Sequence, residues 1–243
     1  NQVNVLMFRR KKTLYIVFSR KETDEAALLE FTGDSSFSPF KIEPSQIEEN
    51  KEESKEEEKK EEQIIKVHNK LKAEYNSVRK YIHNRIKKYK GGSSIDEVFI
   101  SGFSIAGAIA NICALDLSVK YERRNFEYNL ITLGAMKAGN RDFADEVNRR
   151  MNGLNMRIKF VNDIVAAAFH HDYHAGNKVY IKDYPDEFRV VPFEVPAKKS
   201  DDLCSCRRTL FSYGDSCFKN EAYDKIEKDF LRKVLLKYNS EVK

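Results

Sequence analysis

Apolar residues fall along this chain in two alternating patterns: short continuous runs, and longer stretches in which they recur every three or four positions. Leu14 to Ser19 (LYIVFS), Val98 to Ile100, Tyr128 to Gly134 (YNLITLG) and Met156 to Val161 (MRIKFV) are continuous runs rich in β-branched residues, the pattern of strands buried on both faces. Ile64, Leu71, Tyr75, Val78, Ile82, Ile86 and Tyr89 share one helical face, with lysines and arginines opposite, and Gly91-Gly92 ends that helix. Thr23 caps a short helix with Asp24 and Glu25 in its first turn, and Asn140 caps another that begins Arg141-Asp142-Phe143. Near the end, Ala222, Ile226, Phe230 and Val234 form the apolar stripe of an amphipathic helix that carries Lys225, Lys228, Arg232 and Lys233. Strands alternating with helices predict an α/β fold with a largely parallel central sheet flanked by helices. A chain of 243 residues suits a single domain, here 1–243, and no run of eighteen apolar residues is present to cross a membrane.

One segment breaks the pattern. From about 45 to 63 the composition turns to Glu and Lys; Glu48 to Gln63 holds nine acids against four lysines, a charge of −5. Such a stretch is an exposed helix laced by charge pairs or a solvated insert, and it carries no core. Since the whole chain is +5, the remainder is +10, which favours an anionic surface such as charged lipid. The basic run Arg9-Arg10-Lys11-Lys12 reads as a solvated turn before a strand, and no aromatic-plus-basic interleaving supports nucleic-acid binding. Cys113 lies in an apolar helix, whereas Cys204, Cys206 and Cys217 cluster without a nearby histidine, which suits one disulfide of open pairing better than zinc. No cofactor or metal is expected. The chain begins at Asn1 without an apolar leader, compatible with a removed signal peptide or a trimmed start, and it has no Asn-x-Ser/Thr site; compartment and oligomeric state stay open.

The chemistry concentrates at Glu97 to Leu117, EVFISGFSIAGAIANICALDL. A buried strand runs into Gly102-Phe103-Ser104-Ile105-Ala106-Gly107, and a helix of small and apolar residues follows. A serine at such a bend is held in a strained conformation with its hydroxyl beyond the sheet, and the bend requires small residues two places to either side. Gly102 and Ala106 meet that requirement. Asp163 follows the strand Met156 to Val161, so Ser104 and Asp163 both stand at the carboxyl ends of strands, where parallel sheets place their sites.

In order and spacing, VFISGFSIAGAIANICALDL, YNLITLGAMKAGNRDFADEV, RIKFVNDIV and YHAGNKVYI resemble the successive blocks of the class 3 (fungal-type) triacylglycerol lipases, an α/β-hydrolase family. Upstream, YIVFSRKETDEAALLEF stands where the family has an apolar strand, a Phe-Arg-Gly-Thr turn and a helix, and IIKVHNKLKAEY where it has a Val-His-x-Gly-Phe block; the resemblance covers roughly Leu14 to Lys182. It implies hydrolysis of lipid carboxylic esters, acylglycerol or phospholipid, at a lipid–water interface, and it favours secretion. By the same resemblance Ser104 matches the nucleophile and Asp163 the triad acid, while the backbone amides of Ile105 and, after the first strand, Lys21 match the oxyanion donors.

The chain departs from the family at the base. There the catalytic histidine comes last, in an Asp-His-x-x-Tyr-like block, but CSCRRTLFSYGDSCFKNEAYDKIEKDF contains none; if Tyr223 matches the tyrosine, Asn220 stands in its place. The Phe-Arg-Gly-Thr turn has also become Phe18-Ser19-Arg20-Lys21. All five histidines lie earlier. His68 reads as a packing residue and His83 as a surface residue among Arg79, Lys80 and Lys87. His170, His171 and His174 share one loop after Asp163, and His174, immediately before a strand, is the candidate base. A metal held by that HHDYH cluster is the weaker reading, because no second cluster helps. Without a base a serine hydroxyl is a poor nucleophile at neutral pH, so the alternative is an impaired lipase fold kept for lipid or protein binding.

Overall fold

The structure, a computed structural model, describes residues 3–21, 36–41, 64–89, 95–160, 163, 173–183, 187–191 and 228–241. The expected helix after Thr23, the Glu/Lys insert, His170, His171, the cysteine cluster, Asn220, Ala222 and Ile226 lie outside the described residues.

A seven-stranded sheet forms the centre: β1 (Val3–Arg10), β2 (Thr13–Arg20), β5 (Glu97–Phe103), β6 (Glu127–Leu133), β7 (Asn155–Phe160), β8 (Asn177–Asp183) and β9 (Glu187–Val191), in the spatial order β1-β2-β5-β6-β7-β8-β9. β2, β5, β6, β7 and β8 run parallel, and the two edge strands are antiparallel to their neighbours. The largely parallel sheet expected from the sequence is therefore present. β1 and β9 were not anticipated. β1 buries Val3 and Met7 but leaves Leu6 and Phe8 of its short apolar run exposed, and the basic residues Lys11 and Lys12 make its hairpin turn with β2, Lys11 at φ 55°. A two-stranded ribbon pairs β3 (Phe37–Pro39) with β4 (Lys66–His68).

Helices α1 (Asn69–Lys88), α2 (Ser104–Lys120) and α3 (Arg141–Arg150) share a core on one face of the sheet, which includes Leu71, Tyr75, Ile82 and Ile86 of α1 and Leu14, Ile16 and Phe18 of β2. Nearly all of α2 is buried, from Ser104 to Ser118, which explains its lack of an amphipathic pattern. On the opposite face α4 (Lys228–Glu241) lays Phe230, Val234 and Tyr238 on Met156, Ile158, Val179 and Ile181.

The α1 stripe was expected to begin at Ile64, but the helix starts at Asn69 and Ile64 is exposed. Tertiary hydrogen bonds hold the preceding backbone extended: Asn140 accepts from the Lys66 amide at 3.0 Å and donates to the Ile64 carbonyl at 2.9 Å, and the His68 amide donates to the Ala138 carbonyl at 3.0 Å.

Candidate active site

The bend at Ser104 follows from its neighbours. β5 ends at Phe103 in extended conformation, and Ser104 turns the chain into α2 at φ 56°, a left-handed conformation rare for a residue with a side chain. The bend closes tightly. A Cβ at Gly102 would meet the Ala106 carbonyl oxygen at 2.5 Å, and one at Gly107 would meet the Ala135 Cβ at 2.7 Å. Gly102 is thus required, and Gly107, which spacing had not singled out, lets the loop after β6 approach the elbow. No side chain caps α2, so the amides of its first turn, Ile105 included, keep their orphan donors at the serine.

Asp163 lies just past β7, its amide donating to the Phe160 carbonyl at 3.2 Å. β6 separates β5 from β7, so the two strand ends stand about 10 Å apart across the sheet. That gap is one that an imidazole can bridge. Lys21 occupies the exposed bend after β2, also at the carboxyl edge, while its neighbour Arg20 is buried and pairs with Glu74 at 3.3 Å. His174 belongs to a short strap beside α3: the Tyr173 amide donates to the Gly139 carbonyl at 3.1 Å and the Gly176 amide to Asn148 Oδ1 at 2.7 Å. Among the described residues no histidine hydrogen-bonds to the Ser104 hydroxyl.

His68 and His83 occupy built positions. His68 is buried and caps α1, its Nδ1 accepting from the Lys70 amide at 3.3 Å, with its ring edge-on to Phe37. His83, expected at the surface, is instead part of a buried polar network on α2. Its Nε2 lies 2.8 Å from Asp116, whose carboxylate also accepts from Tyr75 at 2.5 Å and from Arg79 at 2.6 and 2.9 Å, while His83 Nδ1 meets the Tyr121 hydroxyl at 3.0 Å. Burial acts to raise the Asp116 pKa, but the hydrogen bonds from His83, Arg79 and Tyr75 outweigh it and hold the carboxyl at about 2. Tyr121 is pushed up to about 12, chiefly by burial. This histidine–aspartate pair does not serve Ser104, because twelve residues of α2, about 18 Å, separate them. The signal was available in the sequence: one acid in an otherwise apolar helix, facing Tyr75, Arg79 and His83 at four-residue spacing. Among the described residues no cluster of His, Cys, Asp or Glu could hold a metal ion, and no helix is long and apolar enough to cross a membrane.

A mostly parallel sheet with helices on both faces and a left-handed serine between strand and helix define an α/β-hydrolase fold with a sharp strand-to-helix elbow at Ser104. The profile described as Lipase (class 3) matches residues 38–172, more than half of the chain, and the chain belongs to the class 3 lipase family, a family of lipid-ester hydrolases. The fold is similar to lipase II from Rhizopus niveus, with a TM-score of 0.64 and 21% identity over 81% of this chain and 68% of that one. The lipase of Rhizopus microsporus var. chinensis aligns at 0.59 and 21%, over 79% of this chain and 62% of its own. Rhizomucor miehei triacylglyceride lipase gives 0.56 and 23%, over 87% and 72%. No curated protein sequence gives a significant match.

Proposed function

We propose that this chain hydrolyses carboxylic esters of lipids at a lipid–water interface, with Ser104 as the nucleophile. The observation that carries this reading is the left-handed Ser104 at the junction of β5 and α2, a backbone conformation that costs about 1–3 kcal/mol and is concentrated at functional sites. Ser104 Oγ attacks the acyl carbonyl, and the amide of Ile105, with that of Lys21 from the turn after β2, stabilises the oxyanion. The proton passes to a histidine oriented by Asp163. His174 takes that role in the proposal, after a shift of the strap between Tyr173 and Gly176 that brings its ring towards the Ser104 edge. The alcohol leaves with that proton, and water then releases the acyl group by the reverse relay.

The test pairs labelling by a serine-directed phosphonate with hydrolysis of short and long acyl esters. Ser104→Ala is expected to abolish labelling and to reduce hydrolysis by about 10³-fold or more. His174→Ala is expected to reduce kcat by a similar factor. Full activity in the histidine variant would remove His174 as base, and labelling that persists in the serine variant would remove Ser104. A wild type that neither labels nor turns over would leave the lipid-binding alternative.

A further inference from the structure

The end of β2 is held by a side chain where its ladder stops. β2 and β5 pair in parallel from Thr13 beside Glu97 to Phe18 beside Gly102, and their pairing ends there. Continued by two positions, the same register brings Arg20 level with Ser104 on the neighbouring strand, about 4.8 Å away between strand axes. Ser19, Arg20 and Lys21 therefore flank the elbow beyond the last ladder pair with β5. On its other side Arg20 is paired with Val3 of the edge strand β1.

Ser19 and Lys21 are exposed, yet Arg20 between them is buried, its side chain only 1% accessible. Alternation along β2 puts Arg20 on the same face as Leu14, Ile16 and Phe18, the face that packs under α1. There its Nε lies 3.3 Å from Glu74 Oε1, in the second turn of that helix. The start of α1 is tied in turn to the loop after β6, through the His68 amide and Ala138, and the same loop abuts the elbow where Ala135 meets Gly107. Arg20 thus joins the turn after β2 to the framework that holds Ser104. Desolvating a guanidinium and a carboxylate is costly, and well-packed apolar residues of similar volume often serve stability as well or better. What the ion pair adds is direction, because a guanidinium–carboxylate contact constrains orientation as well as distance.

We propose that Arg20 and Glu74 are positioning residues for ester hydrolysis: their ion pair holds the turn after β2 so that the Lys21 amide stays aimed at the oxyanion formed as Ser104 attacks. This role rests on Ser104 as nucleophile and Lys21 as oxyanion donor. An oxyanion donor acts in the transition state, so displacing it lowers kcat and leaves KM nearly untouched. A pair that only stabilised the fold would move the unfolding midpoint and leave kcat per active site alone.

The full chain is assayed on a soluble short-chain acyl ester, with the serine-directed phosphonate counting active sites in each preparation. R20Q, E74Q and R20Q/E74Q are compared with R20K, and with D116N as the loss of a buried ion pair remote from Ser104. kcat is expected to fall about tenfold to a hundredfold in R20Q and in E74Q, with KM within about twofold of wild type. The double variant is expected to lose no more than the worse single one, because the two side chains act as a unit. R20K, which keeps the charge, is expected to recover part of kcat, and D116N to lower the urea midpoint with kcat per active site unchanged. Where R20Q fails to fold, E74Q carries the same test, its side chain being 19% exposed. Unchanged kcat in E74Q, a rise in KM at constant kcat, or independent losses that multiply in the double variant overturns the positioning role while Ser104 stands. A wild type that neither labels nor hydrolyses removes the nucleophile, and the positioning role with it.

Discussion

At the residue scale, the chain separates two uses of buried polarity. Ser104 is buried with strained backbone and a hydroxyl that no histidine among the described residues engages, whereas Asp116, on the same helix, is fully sealed and accepts from three side chains. Asp116→Asn leaves Arg79 and His83 without their anion and is expected to cost about 3–5 kcal/mol in urea unfolding, as breaking a buried charge pair does. Ester hydrolysis by the folded variant is expected to be little changed, since the substitution lies about 18 Å along α2 from Ser104. The pH dependence has a definite sign. The folded-state pKa of Asp116 lies at about 2, below its ordinary 3.8, so the stabilisation is complete above the ordinary value and is lost as pH falls through about 2. Unfolding free energies measured between these limits should fall more steeply for wild type than for Asp116→Asn.

At the element scale, one side chain joins two elements that sequence pattern treats as separate. Asn140 Oδ1 accepts from the Phe143 amide at 3.1 Å, capping α3 as expected, and also from Lys66 of β4. Asn140→Ala is expected to cost about 1–2 kcal/mol in thermal or urea unfolding for the lost cap. It should also raise hydrogen exchange at Lys66, which loss of the cap alone would leave unchanged. The strands β2, β5, β6 and β7 were legible because both their faces are buried and their apolar runs are continuous. β1 and β9 lie at the edges, each in a hairpin with the strand beside it in sequence, and the edge position leaves apolar residues such as Leu6 and Phe8 exposed. α1 was legible in its interior and not at its start, because the bonds that keep 64–68 extended come from residues about 70 positions away.

At the scale of the whole molecule, charge is distributed unevenly, with the Glu/Lys insert at −5 against +10 elsewhere. Deleting Glu48 to Gln63 should strengthen sedimentation with anionic vesicles at low salt and leave binding at high salt unchanged, because exposed charges act through a screened field. Unchanged low-salt binding would show that the insert does not modulate the surface field.

What the sequence determined by itself is local: the continuous apolar runs that become central strands, the stripe of α1, and the small residues Gly102 and Ala106 around Ser104, each dictated by neighbours within a few positions. The tertiary structure decided what depends on distant partners. It drew His83 out of its expected exposed position and onto Asp116, pinned β4 through Asn140, and set Gly107 against Ala135. The physical reason is the same in each case. A strained turn or an apolar face is encoded by adjacent residues, but a buried hydrogen bond needs both partners brought together, and only the packed fold does that.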